Sequence, residues 1–357
     1  MDDVGGRCDA RSMRCTIVPP YLLSRLSRLD AATLEGVATA AHETLIHTRP
    51  LRDARQTAVL RPAPPVQARL APRRTISDAG GREVLPGSVV RREGEAPVGD
   101  AAANEAYDGL GATHALFADA YGRASIDDRG LGLDATVHYG ARYDNAFWDG
   151  AQMVFGDGDG EVFRRFTLSL SVIGHELSHG VTQFSSPLDY EGQSGALNES
   201  VSDVFGSLVE QYTRRQDFAG ASWLIGEELF TDMVEGAALR SMKAPGTAYN
   251  DDILGVDPQP AHMRDFVVTR EDNGGVHINS GIPNRAFYLT AEALGGFAWQ
   301  RAGQIWYDTI TEGELASSAT FADFARATAL AARTRYGAAS SELGAVERAW
   351  ATVGVAS

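Results

Sequence analysis

Residues 171–183 read SVIGHELSHGVTQ, with His175, Glu176 and His179 at the centre. Side chains four apart lie on one face of an α-helix, so a helix here aims both imidazoles at one point and sets Glu176 beside them. That arrangement suits a zinc ion held by two histidines, with an adjacent glutamate left off the metal as a base. Five residues alone do not separate this chemistry from an ordinary helix, and the rest of the chain has to supply what the site lacks.

The chain is long enough, at 357 residues, to bury a large core. Its 32 basic and 47 acidic residues give −15, which argues against a nucleic acid or an anionic membrane as the main partner. No apolar run reaches membrane-spanning length. The opening MDDVGGRCDARSMRC has no apolar core before Thr16, so an ordinary secretory signal is not expected, and both cysteines, Cys8 and Cys15, fall inside it. Arginines recur from Arg7 to Arg92 with few acids among them. This reads either as an N-terminal piece attracted to an acidic remainder or as a surface helix with scattered arginines.

Residues 1 to about 14 are expected to be disordered. After Pro19-Pro20, Leu22, Leu26, Leu29, Leu34, Val37 and Ala41 recur at helical spacing with a break near Asp30, which reads as one or two short helices. Prolines from Pro50 to Pro86 make helix unfavourable between Arg49 and Pro97, where RTISD and VVRR suit short strands. AANEAYDGLGATHALFADAYG reads as a helix. LDATVHYG and NAFWDGAQMVFGDGDG alternate and suggest an antiparallel hairpin closed by the Gly156-to-Gly160 turn. Beyond Phe163, residues 168–184, 197–215, 281–294, 299–311 and 318–335 read as helices. The fold expected is α+β, a β-rich half followed by a helical half with HELSH at the junction.

A catalytic zinc takes three protein ligands and keeps one position open. In ALNESVSDVFGSLVEQY an apolar stripe of Val201, Val204, Phe205, Leu208 and Tyr212 is accompanied by an acidic one of Glu199, Asp203 and Glu210. Acids on a largely apolar helix need a positive partner if buried, which makes Glu199 a third ligand and Asp203 the acceptor for a ligand histidine's other N–H. A solvated acidic face reads equally well from this segment alone. In REDNGGVHINSGI the Asn273-Gly274-Gly275 turn sets His277 just before a helix start, with Asp272 near enough to fix its tautomer. His277 reads there as catalytic or as structural.

Taken together, HELSH, NESVSD with its glutamate 20 residues past His179, and DNGGVHINSGI closely resemble the thermolysin family of neutral metallopeptidases. NAFWDGAQMVFGDGDG, DYEGQSGALNE and ALRSM extend the resemblance over roughly residues 100 to 350. CTIVPPYLL with the amphipathic stretch after it resembles the short prosegment of the protealysin-like branch. The resemblance implies a two-lobed zymogen: a prosegment over residues 1–50, a β-rich domain with the zinc helix over 51–185, and a helical domain over 186–357. The mature chain would begin between Thr48 and Pro72.

The resemblance also implies roles. His175, His179 and Glu199 would hold one Zn2+, with Asp203 behind the first histidine. Glu176 would be the base, and His277 and Tyr190 the donors to the developing oxyanion, with Asp272 orienting His277. Asn145 and Ala146 would take the peptide backbone, and Arg240 the carbonyl beyond the cut. Phe163, Phe166, Val172, Ile225, Leu229 and Leu239 would line a pocket for a bulky apolar residue after the scissile bond, the same residues reading otherwise as plain core. The positions that form a double Ca2+ site in better-known members are Ser171, Glu210, Ser222 and Glu227 here. Two serines among them predict that the double site is absent. Cys15 reads as a thiolate able to reach the zinc or as a small packed side chain. The function implied is an endopeptidase that acts as a monomer on proteins or peptides outside the cell, held latent by its own prosegment. The competing reading is a catalytically weak peptidase fold acting as a binding module, and a cytoplasmic location stays open.

Overall fold

The computed structural model describes residues 16–54, 71–186 and 188–356. The leader up to Cys15, including both cysteines, and the stretch 55–70 lie outside the described residues.

Two helices come first, α1 (Pro20–Leu26) and α2 (Ala31–Ala54). Proline at the first position of α1 has no N–H to waste, and Leu22, Leu23 and Leu26 turn inward as the spacing predicts. The break falls before Ala31, near Asp30. However, α2 runs on through Pro50 to Ala54, past the point where prolines were expected to end it. One proline near a helix end removes a single hydrogen bond, and the helix continues through it.

The N-terminal lobe carries β1 (Arg74–Asp78), β2 (Ser88–Arg92), β3 (Leu133–Val137), β4 (Ala146–Trp148) and β5 (Met153–Phe155), joined in the order β2-β1-β3-β5-β4. RTISD and VVRR are strands, as read. The expected hairpin forms differently: β4 and β5 pair antiparallel around residues 149–152, while β3 lies parallel to β5. Asp149 makes the turn, its carboxylate accepting from the N–H groups of Ala151 and Gln152. The GDGDG segment follows β5 and closes no hairpin. β4 is left as the edge of the sheet.

Behind the sheet lies α3 (Ala101–Tyr121), started by Asp100 capping Ala102 and Ala103 and stopped by Gly122 at φ 67°. HELSH lies in α4 (Leu170–Ser185), at the junction of the lobes, and α5 (Gly192–Arg214) crosses it. These two helices approach closely because each has a glycine at the crossing. A Cβ on Gly174 would meet the Gly206 Cα at 3.0 Å, and one on Gly206 would meet the His175 N at 3.0 Å. The close crossing is what sets Glu199 of α5 against the histidines of α4.

The helical lobe continues through two short strand pairs, β6 (Leu224–Ile225) with β7 (Arg240–Ser241) and β8 (Asn250–Asp251) with β9 (Gly255–Val256). Then come α6 (Asp272–Asn279), α7 (Gly281–Leu294), α8 (Ala302–Glu312), α9 (Phe321–Tyr336) and α10 (Ser341–Thr352). The sequence reading missed α10, whose interior Gly344 weakens its pattern. Ser340 caps it, and Trp350 fixes it by stacking 6.4 Å from Trp306. In α6, Asp272 to Gly275 all have φ between 50° and 84°, a left-handed turn that delivers His277 on the helical residues after it.

Candidate functional site

Three donor groups converge where α4 crosses α5. His175 Nε2 lies 3.0 Å from His179 Nε2 and 3.5 Å from Glu199 Oε2, and His179 Nε2 lies 3.7 Å from Glu199 Oε1. Tetrahedral zinc with bonds of about 2.0–2.2 Å spaces its ligand atoms roughly 3.4 Å apart, so the three groups fit one ion. His175, Glu176 and His179 also bring ligand-type atoms within 4.8 Å of one another, a group consistent with a single catalytic zinc. Glu176 is fully buried, and its Oε2 accepts from the Trp148 N–H of the edge strand at 2.9 Å.

Behind the donors stands a second ring of groups. His175 Nδ1 lies 2.7 Å from Asp203 Oδ1, and Asp203 receives two 2.8 Å bonds from the Arg240 guanidinium and one from the Asn284 amide. Burial alone would raise the Asp203 carboxyl, but Arg240 and His175 outweigh it and hold the group well below the usual carboxylate range. Burial opposes ionisation of Glu199 too, yet His277, His179, His175 and Arg240 bring it down to about 2. Glu199 and Asp203 of the acidic stripe on α5 are therefore buried carboxylates with cationic partners, and not part of a solvated face.

His277 faces the same point from α6. Its Nδ1 lies 2.6 Å from Asp272 Oδ1, and its Nε2 lies 3.3 Å from the Tyr190 hydroxyl and 3.5 Å from Glu199 Oε2. Tyr190 donates to Glu199. Burial pulls the His277 ring down, and Asp272 and Glu199 more than reverse this, raising it.

The N-terminal segment lies across this site. The Thr16 carbonyl is 3.2 Å from His277 Nε2. The Ile17 N–H donates to the Ala146 carbonyl at 3.2 Å, and Arg240 Nη1 donates to the Ile17 carbonyl at 3.1 Å. The Asn145 amide takes Val18 from both sides, accepting from its N–H at 2.9 Å and donating to its carbonyl at 3.2 Å. Further along, Arg25 bonds the carbonyls of Asp252 and Ile253 and Thr44 accepts from the Asp144 N–H. Arg25 thus reaches backbone carbonyls of the helical lobe.

Phe163, Phe166, Val172, Ile225, Leu229 and Leu239 are all buried in the same apolar cluster as Ile17 and Val18. Ile225 of β6 pairs with Arg240 of β7, which ties that cluster to the residue holding the Ile17 carbonyl. At the four calcium-type positions, Ser171 Oγ accepts from the Gly226 N–H, Ser222 and Glu227 are exposed, and Glu210 is paired with Arg214 at 2.8 Å. Burial raises the Glu210 carboxyl in spite of that arginine.

Several backing groups escaped the sequence reading. Asn198 lies 2.8 Å from His179 Nδ1, Ser202 lies 3.0 Å from the same nitrogen, and Gln259 donates to the His277 carbonyl at 2.8 Å. Asn198 and Ser202 could have been read from their places one residue before Glu199 and Asp203. Gln259 and Asn284 carry no such mark. A separate cluster joins Asp78, Asp100 and His138, with Asp157 against His138 Nδ1 at 2.8 Å.

Known proteins resemble this chain along most of its length. Residues 78–183 match the thermolysin metallopeptidase catalytic domain, and residues 186–355 match the thermolysin metallopeptidase alpha-helical domain. An extracellular metalloprotease of Pectobacterium carotovorum is 50% identical over 344 residues, 96% of each chain. Protease PrtS of Photorhabdus sp. is 53% identical over 262 residues, 73% of this chain and 71% of that one. Among solved structures, the precursor of protealysin from Serratia proteamaculans superposes with a TM-score of 0.86 at 49% identity, over 96% of this chain and all of that one.

Proposed function

From the premise that the chain belongs to the thermolysin family and is a zinc-dependent endopeptidase made as a precursor, we propose that it cuts on the amino side of bulky apolar residues and is held latent by its prosegment, whose Thr16 to Val18 lie in its own cleft. The observation that carries this reading is the course of Thr16 to Val18. Their backbone groups are taken by His277, Ala146, Arg240 and Asn145, the residues assigned to bind a substrate. The Ile17 side chain, apolar and fully buried on the residue whose carbonyl Arg240 holds, supports a preference for Leu, Ile, Val or Phe after the cut. Such a pocket ranks these weakly, since a methylene is worth about 1–3 kcal/mol.

Zinc held by His175, His179 and Glu199 would supply an acidified water and a polarised carbonyl when bound. The chain's own residues do the rest. Glu176, oriented by the Trp148 N–H, takes the proton of the attacking water and passes it to the amide nitrogen. His277 Nε2 and the Tyr190 hydroxyl give two donors to the carbonyl oxygen as it gains charge, with Asp272 holding the His277 ring. Asp203 anchors His175 and Arg240 together, so one carboxylate aligns a metal ligand with the clamp on the substrate carbonyl. Asn145 and Ala146 add the substrate as an extra strand on the edge of the sheet, reading backbone and not sequence.

The same reading takes the prosegment as 1–50, the β-rich domain as 51–185 and the helical domain as 186–357, with maturation between Thr48 and Pro72. Arg214 beside Glu210 supports the absence of a double calcium site. All the groups named belong to one chain, so a monomer suffices. The relatives called extracellular support action outside the cell, and among the described residues no helix is long and apolar enough to cross a membrane. The test is incubation of purified precursor with casein, with and without a zinc chelator, followed by sequencing of the new N-termini of both proteins. Cuts in casein that do not precede apolar residues would overturn the specificity, and a chelator-resistant cut would overturn the assignment of the zinc site.

A further inference from the structure

We infer that the Thr16–Ile17 peptide bond is a substrate as well as a plug, and that the chain hydrolyses it within its own cleft before it becomes active on other proteins. The inference rests on the catalytic reading above and adds a cleavage site to it.

The two sides of this one bond are held by different groups. Its carbonyl oxygen is 3.2 Å from His277 Nε2, the nitrogen that also faces Tyr190 at 3.3 Å and Glu199 at 3.5 Å. Its N–H donates to Ala146 O, two residues before the Trp148 N–H that holds Glu176. The next carbonyl is on Arg240 and the next residue on Asn145. A plug that only excluded substrate could present any group to the donor set; this one presents a carbonyl there and the amide of the same bond to the edge strand. Thr16, Ile17 and Val18 are all buried, and Pro19 with α1 ties the segment to the body, so little freedom remains to be lost on the way to reaction.

The step balances with one water. The water oxygen bonds to the Thr16 carbonyl carbon, Glu176 takes a water proton and delivers it to Ile17 N, the C–N bond breaks, and the second water proton passes by way of Glu176 to the new amine, leaving a Thr16 carboxylate and an Ile17 ammonium. Residues 1–16 leave. The new amino end keeps its contacts with Ala146, Arg240 and Asn145, and α1 and α2 stay attached, so the nicked chain remains blocked. Nicking therefore precedes activity and does not by itself release it.

The experiment uses full-length precursor, wild type and Glu176→Gln, stripped of metal and reloaded with zinc at time zero. Intact mass and N-terminal sequencing are followed at several protein concentrations. The expected result is a chain beginning at Ile17 that appears first-order, with a half-time independent of concentration, and never in Glu176→Gln. A second readout needs no metal: in stripped Glu176→Gln protein the Ile17 amide, bonded to Ala146, should exchange with deuterium at least 10²-fold more slowly than in an unfolded peptide. Protein that goes on to hydrolyse an added peptide while the 16–17 bond stays intact overturns this inference alone. Protein that cuts neither itself nor the peptide overturns it together with the catalytic reading. An unprotected Ile17 amide overturns it independently.

Discussion

Replacing Gly206 by alanine should loosen the zinc site while leaving all three ligand side chains in the sequence. The added Cβ would stand about 1 Å inside ordinary contact with the Ser171 carbonyl, and 3.0 Å from the His175 N, both backbone atoms of α4. Alanine gains roughly 0.5–1 kcal/mol over glycine inside a helix, whereas overpacking costs about 1–3 kcal/mol. The net expectation is a loss of about 1 kcal/mol, with α4 and α5 pushed apart by several tenths of an ångström. Ligand positions must hold to about 0.2 Å for full zinc affinity, so an affinity loss of roughly tenfold or more should accompany the loss of stability. Both are measured in a Glu176→Ala background, which avoids self-digestion, by urea unfolding and by competition with a chromogenic chelator. Gly344→Ala is the control, because its Cβ meets only the movable end of Arg348, and it should stabilise α10 and leave zinc unchanged. If Gly206→Ala binds zinc as tightly as its parent, the close crossing is not what sets the donor spacing.

Glu176→Ala should abolish hydrolysis and keep about one zinc per chain, and His277→Ala should keep zinc and lose about 10²–10³ in kcat; metal analysis beside steady-state rates checks both, and lost zinc in either contradicts the roles assigned. His138 gives a pH dependence: burial lowers it, but hydrogen bonds to Asp157 and Asp100 prevail and raise it to about 9. A folded value above the unfolded one of about 6.5 makes its stabilisation complete below pH 6.5 and lost as pH rises through 9. Melting midpoints from pH 6 to 10 should fall less in His138→Gln than in its parent, and parallel curves would refute this. Calorimetric titration of calcium into stripped, zinc-reloaded Glu176→Ala protein should show no pair of tight sites, and two tight sites lost in Glu210→Gln would reverse that expectation.

Groups on one helix face were legible because period carries that information. His175 with His179 and Glu199 with Asp203 are pairs four apart, and the structure brings both pairs to one point. What was illegible arrives from far along the chain. Asn284 reaches Asp203 across 81 residues, and Gln259 reaches the His277 carbonyl across 18, with no spacing to announce either. The hairpin was misplaced for a related reason. Both Asp149-Gly150 and GDGDG look like turns, and the choice between them is made by the pairing of β5 with β3 and β4, which is a property of the sheet.

The strand β4 lies at an open edge beside the catalytic helix, and the chain that occupies it must be extended, with consecutive N–H and carbonyl groups free to bond. A folded domain rarely has such a stretch to offer, because its backbone groups are already committed to one another. The side chains of a target then matter less than its unfolding equilibrium: a segment whose local opening costs about 3 kcal/mol would be cut roughly a hundredfold more slowly than the same residues in a denatured chain. On that basis the enzyme is expected to discriminate by conformation, so that the pattern of cuts left in a native protein would map where that protein breathes.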